Sequence, residues 1–453
     1  MKNFSTIIDS YKDDMIKMLC ELVSFPSVKA DPAGTMPFGK AIDDCLRYTL
    51  GRAEEFGLKA EYIDGYAGHA DIGSGEKTMG ILVHLDVVPA GGGWDTDPFT
   101  ATIKDGTIFG RGANDNKVAS VATLFAIKAC REMGVDFKKK VRVIFGCDEE
   151  SGWADIDYYK TKHKMPDFGY SPDGAFPVVN AEKGVVHLEL MIPLGGDDKK
   201  ILSLTGGERA NVVLEKTEAL VDGSIAPSTE SNIIAEKKGG ATLITATGLA
   251  AHGSRPELGV NAGVMLMKVL RDSGLSGNVI NLVCDCIGGK TDGAGFGVNF
   301  KDEPSGELTL NLGILEKQGD SVRAVLDIRC PVTYDCIDVS RIITDKAAKY
   351  GATVRKIHEH RPIYLPEDHP LIKTLLEQYT KVTGLPGYVI SMGGGTYART
   401  MDNAVAFGCD FPDADDDHGI HKQNEYVSIN DMMRACKVFA NVIAAVQDID
   451  IPT

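Results

Sequence analysis

The sequence predicts an α/β protein: a mixed, mostly parallel sheet flanked by helices, carrying an inserted α+β domain. Three observations predict it. The run MGILVHLDVV (79–88) is almost continuously apolar and β-type, as a strand buried on both faces of a parallel sheet is, and KKVRVIFG (139–146) reads as another buried strand. Segments of helical periodicity alternate with them, which covers a sheet on both sides. After about residue 180 the pattern changes to polar–apolar alternation, the pattern of half-exposed antiparallel strands.

The elements follow in order. Residues 4–24 place Ile7, Ile8, Tyr11, Met15, Ile16, Leu19 and Leu22 at helical spacing, and Pro26 ends the helix. A second helical segment covers 39–56, and an alanine-rich helix is predicted over 117–132. Beyond 180, VVHLELMIPL, ILSLTGG, NVVLEK, ATLITATGLA, GELTLNLGIL and SVRAVLDIRCPV read as strands, with helices at 260–273 and 338–350 between them. The segment PEDHPLIKTLLEQYTKVTG restarts helical periodicity, and residues 429–447 form a closing amphipathic helix. The domain plan is therefore 1–182 as the first part of a catalytic domain, 183–362 as an inserted lid domain, and 363–453 as the returning part.

A chain of 453 residues is long enough for two or three units with a large core. Its net charge of -16 argues against a nucleic-acid partner or an anionic membrane. No run reaches the roughly 20 apolar residues that span a bilayer. The N-terminal stretch carries Asp and Lys where a signal peptide needs an unbroken apolar segment. The ten cysteines are scattered singly, without a CxxC pair, which fits free thiols in a reducing, cytoplasmic compartment.

Acidic and imidazole side chains cluster at the ends of the apolar runs. His84 and Asp86 close the first; Asp115 follows in GRGANDNK; Glu149 and Glu150 follow the second in GCDEESGW; Asp173 sits in YSPDG, and His421 in HGIHKQNEY. In α/β sheets ligands bind beyond the carboxyl ends of the strands, where these residues fall. A buried carboxylate or imidazole is costly unless paired or bound to a metal, so the pattern points to a polynuclear metal site and hydrolytic chemistry. Taken singly, each residue has an ordinary structural reading: His84 as a satisfied strand histidine, Glu149 and Glu150 as a solvated turn, Asp115 and Asp173 as turn formers. His421 and Glu425 are equally unremarkable alone. Imidazole and carboxylate ligands together suit Zn2+, with Mn2+ or Co2+ as alternatives.

Together these strings resemble a family. VHLDVVPAGGGWDTDPF, GRGANDNK, GCDEESGW, YSPDGAFPVVNAEKG, GGERANVV, AAHGSRPELGVNA, LDIRCPV, GGGTYAR and HKQNEY run in family order across nearly the whole chain. The chain resembles the co-catalytic metallopeptidases that include acetylornithine deacetylase, succinyl-diaminopimelate desuccinylase, glutamate carboxypeptidase and carnosinase. Within that group it looks most like the PepV-type bacterial dipeptidases.

The resemblance implies two divalent ions. His84 and Asp173 would hold the first, Glu150 and His421 the second, and Asp115 would bridge them. Such a pair activates a shared water and polarises the scissile carbonyl. Glu149 would be general base and then acid, and Asp86 would orient His84. The resemblance also implies a cis peptide between Asp115 and Asn116. In the inserted domain, His252 would stabilise the tetrahedral oxyanion. Asn211 and Arg329 would contact the substrate backbone and its terminal carboxylate, and Gly393, Gly394 and Gly395 would line the pocket. The chain departs from the family pattern at Asn116, where aspartate is frequent, and at Val118, where glycine is usual.

The implied function is a metal-dependent dipeptidase, monomeric, acting on small unblocked dipeptides. The alternative enzyme is a deacylase of N-acyl amino acids, which uses the same metals and base without an amine-binding site. A non-catalytic binding or metal-storage protein is the alternative of another class, and retention of Glu149 speaks against it.

Overall fold

The computed structural model describes residues 3–225, 231–414 and 418–452. The chain divides into two compact units, Met1–Asn180 with Leu365–Ile390 and Thr396–Thr453, and Ala181–Tyr364 with Ser391–Gly395. Each has its own apolar core.

The first unit is built on a mixed sheet. Its strands run, edge inward, Lys59–Ile63, Ala67–Ile72, Lys140–Gly146, Thr78–His84, Phe168–Ser171, Ala404–Ala406, and then the strand beginning at Val178. Thr78–His84 lies parallel to both Lys140–Gly146 and Phe168–Ser171, and Ala404–Ala406 parallel to Phe168–Ser171. The two apolar runs are thus adjacent central strands, and their inner residues, such as Ile81, Val83, Val143 and Phe145, are wholly buried. The register sets His84 opposite Gly146, so both strands end level. Gly146 is obligatory there: a Cβ would come within 2.3 Å of the Tyr397 ring.

Helix Lys117–Glu132 is buried nearly all round, as its alanine-rich sequence permits, and packs on helix Ile429–Ala445. That last helix starts where the Ser428 hydroxyl accepts the Asp431 amide. Helix Pro370–Thr383 starts with Pro370 in the first turn, where its missing N–H costs nothing.

The second unit holds two antiparallel four-stranded sheets. One is ordered Thr309–Gln318, Ser321–Cys330, Gly184–Pro193, Thr353–His360; the other Ile201–Gly206, Lys216–Asp222, Ala241–Thr247, Ile233–Lys238. Helices Ala262–Asp272 and Cys336–Ala347 accompany them, capped by Asn261 and Asp335. NVVLEK (211–216) is not a strand; the chain there is irregular, and the strand begins at Lys216. Its apolar residues still go inward, with Val213 and Leu214 buried, so burial rather than ladder pairing explains their hydrophobicity.

Candidate metal centre

Loops leaving the carboxyl ends of the central strands bring the acidic and imidazole side chains together in the first unit. His84 is the last residue of its strand, Asp115 precedes helix Lys117–Glu132, and Glu149 and Glu150 follow strand Lys140–Gly146. Asp173 follows Phe168–Ser171, and His421 arrives from the loop ahead of strand Tyr426–Ser428 with its backbone left-handed at φ 62°. His84 Nε2 lies 3.0 Å from Asp115 Oδ1 and 3.7 Å from Asp173 Oδ2. His421 Nε2 lies 3.0 Å from the other Asp115 oxygen and 3.1 Å from Glu150 Oε2. Asp115 therefore stands between two donor groups, His84–Asp115–Asp173 and Asp115–Glu150–His421, each with its donor atoms within 4.8 Å of one another.

Electrostatics follow from this crowding. Hydrogen bonds from His421 and His84 hold the Asp115 carboxyl, against its burial, well below the usual range. Burial and the neighbouring Asp115 charge push Glu150 up to about 7. Burial, then the charge of Asp173, lifts Glu149 well above an ordinary glutamate. The carboxylates reach the imidazoles too: hydrogen bonds to Asp115 and Glu150 push His421 up to about 10. His84, despite burial, is raised by Asp173, Asp115 and Asp86. A site that draws positive charge so strongly, with one imidazole and one carboxylate on each side of a shared aspartate, fits a pair of divalent cations.

The surroundings fix these groups. His84 Nδ1 lies 2.9 Å from the Asp86 main-chain oxygen and 3.6 Å from its carboxylate. The Asp86 carboxylate instead accepts the amides of Glu149 and Glu150, at 3.2 and 3.1 Å, and so aims the turn that carries both glutamates. Glu425, unremarkable in the sequence, is 1% exposed. Its carboxylate accepts the amides of Gly112, Asn114 and Asp115, each at 3.0 Å, and pairs with Arg111 at 2.6 Å. The peptide between Asp115 and Asn116 is cis. Asn116 Nδ2 donates to the Pro172 carbonyl at 2.8 Å and to Asp173 Oδ1 at 3.2 Å. The Tyr397 hydroxyl donates to Asp155, whose carboxylate also accepts the amides of Cys147 and Asp148. Proximity of Glu425 to His421 in HKQNEY was its one sequence signal; Asn116 stood out only as a departure from the family pattern beside Asp115, and nothing in the sequence gave Asp155 or Tyr397 a role.

The remaining candidates lie in the second unit. His252 is exposed, and its Nδ1 accepts the Ser254 amide at 3.1 Å, which puts the neutral ring's proton on Nε2. The Asn211 carbonyl accepts the Gly253 amide at 2.8 Å, tying this residue to the same turn. Arg329 is nearly buried; Nε and Nη2 fork onto Asp327 at 2.8 and 2.7 Å, and Nη1 donates to the Gly393 carbonyl at 2.9 Å. Gly393 packs so closely on Ser254 that a Cβ would come within 2.7 Å of it. Gly394 and Gly395 continue this ribbon.

Carboxylates and imidazoles gathered beyond the ends of parallel strands place the molecule in the class of metal-dependent hydrolases. Residues 80–445 match the model of Peptidase family M20/M25/M40, and the chain belongs to that family: it is a metallopeptidase. It is 34% identical, over 97% of its length and 99% of the relative's, to "Putative dipeptidase YtjP" of Bacillus subtilis (strain 168). Human carnosine dipeptidase 1 shares the fold, with a TM-score of 0.62, 15% identity and 98% of each chain covered. So does the dipeptidase Dug1p of Saccharomyces cerevisiae, with a TM-score of 0.62, 16% identity and 98% of each chain covered. Among the described residues, no helix is long and apolar enough to cross a membrane.

Proposed function

We propose that this metallopeptidase is a dipeptidase that hydrolyses unblocked dipeptides with two divalent cations, zinc first and manganese or cobalt as alternatives. The observation that carries the reading is Asp115, with His84 and His421 each 3.0 Å from one of its two oxygens. His84 and Asp173 would hold one ion, Glu150 and His421 the other, and Asp115 both. When bound, such ions supply Lewis-acid polarisation of the carbonyl and an acidified water.

The chain's own residues do the rest. Glu149, raised by burial and by Asp173, accepts the proton of the attacking water and returns it to the leaving amine. Asp86 holds the Glu149 backbone in place for this. His252 offers an Nε2 proton to developing negative charge, a contribution of roughly 2.7–4 kcal/mol in comparable sites. Asn211 binds the substrate backbone. Three of the five N–H groups of Arg329 are engaged, which leaves two for a terminal carboxylate while it braces the Gly393–Gly395 ribbon.

The names of the curated relative and of both solved structures support a dipeptide substrate. Ten free thiols support a reducing cytoplasm. We read the chain as a monomer, which size-exclusion chromatography with light scattering checks. The decisive experiment loads the apoprotein with Zn2+, Mn2+ or Co2+ and assays Ala-His, Leu-Leu and N-acetyl-ornithine, with a chelator control. Release of free amino acids from the two dipeptides alone is the expected result. Cleavage of the N-acyl compound alone would replace the reading with a deacylase.

A further inference from the structure

A second gathering of ligating side chains lies in the first unit, at the edge of its sheet. Glu61 is on the edge strand Lys59–Ile63, and antiparallel pairing sets it directly opposite His69 on Ala67–Ile72. His163 closes helix Ala154–Lys162, with its amide held by the Tyr159 carbonyl at 2.9 Å. Glu61 Oε2 lies 3.5 Å from His69 Nε2, and Glu61 Oε1 lies 3.2 Å from His163 Nε2. All three donor atoms fall within 4.8 Å of one another. Bonds of about 2.0 Å at tetrahedral angles separate ligand atoms by about 3.3 Å, so the trio is already near the spacing zinc requires.

The chemistry around the trio is that of a built ligand set. His69 is 3% exposed, and its Nδ1 faces the Tyr159 hydroxyl at 3.1 Å. That oxygen has two lone pairs, one taken by Arg142 Nη1 at 3.1 Å. The other can take an Nδ1 proton, which leaves the Nε2 lone pair directed at Glu61. Arg142 does not repel a cation strongly, because Asp71 neutralises it through two 2.7 Å hydrogen bonds. Lys162 is turned to Asp64 at 3.4 Å. Glu61 is about half exposed and His163 about a fifth, so an ion has a path from solvent and room for a water as fourth ligand.

We propose that Glu61, His69 and His163 form a third cation site, for a zinc-type transition ion, that ties the edge strand to the end of helix Ala154–Lys162. Two imidazoles and one carboxylate select such an ion over Mg2+ or Ca2+, which favour all-oxygen shells. The trio shares no residue with the Asp115-centred groups.

The test is equilibrium dialysis of the full chain against Zn2+ alone, with metal counted by elemental analysis, for wild type, Glu61→Gln and His163→Gln. Circular dichroism reports folding. Each variant is expected to hold one equivalent fewer than wild type and to keep wild-type dipeptide hydrolysis. Glu61 is largely solvent-facing, so Glu61→Gln stays informative if His163→Gln folds poorly. Because the readout is a difference of one equivalent, it stands whether or not the Asp115-centred reading does. Equal zinc content in wild type and Glu61→Gln would overturn the site.

Discussion

Glu425 accepts the main-chain amide of Asp115 at 3.0 Å, and this fixes the position of the residue on which both donor groups depend. The same carboxylate takes two further amides and the Arg111 guanidinium, and both partners of that ion pair are 1% exposed. Removing one member of a buried pair leaves an uncompensated charge, at about 3–5 kcal/mol. Glu425→Ala is therefore expected to lower unfolding free energy by about that amount, read from urea melts. It should also weaken zinc retention by roughly 10–100-fold, the usual cost of losing a group that orients a ligand. A variant with wild-type zinc affinity would show that Asp115 holds its place without Glu425.

Glu149 touches neither imidazole in the hydrogen-bond pattern, and its amide rests on Asp86. Glu149→Ala should therefore keep wild-type metal content while turnover of Leu-Leu falls by roughly 10²–10⁴, the range for loss of a general base. Turnover near wild type with metal intact would move the base elsewhere.

Much of this arrangement was legible because strands buried on both faces leave a distinctive apolar run, and a charged residue at its end stands out. His84 and Glu150 are visible for that reason. The irregular path of 211–216 was not, because buried loop residues and strand residues share the same apolar composition. The bonds of Glu425 and Asn116 were hidden by a different cause. They act on main chain or on one neighbouring carboxylate across spans of about 310 and 57 residues, and no local pattern records such a bond. The cis peptide at Asp115–Asn116 came from family resemblance alone, since such bonds without proline are too rare for propensity to suggest.

The shared aspartate makes a prediction about stoichiometry. Asp115 presents one oxygen to each donor group, whereas Glu150 belongs to one group only. Asp115→Asn should cost two cation equivalents relative to wild type, and Glu150→Gln one, measured on chelator-stripped protein reloaded with Zn2+. Stripping should also abolish dipeptide hydrolysis and lower Tm, because an ion bound only by the folded state stabilises it by mass action. Loss of one equivalent in both variants would mean Asp115 serves a single ion.

The last prediction concerns pH. Asp155 is fully buried, and burial pushes its carboxyl up to about 7 while Tyr397 and the amides of Cys147 and Ile156 partly oppose the shift. The unfolded chain titrates this group near 3.8, so folding favours the protonated form. Its stabilising contribution is complete below the unfolded value and is lost as pH rises through about 7. Asp155→Asn cannot ionise. Its unfolding free energy should therefore gain on wild type between about pH 4 and about pH 8, by on the order of 4 kcal/mol for a shift of this size. Denaturant melts across that window check it, with the difference between the two proteins as the readout. Parallel stability curves would mean that Asp155 is ionised in the folded protein, held by the amides and Tyr397 rather than by its own proton.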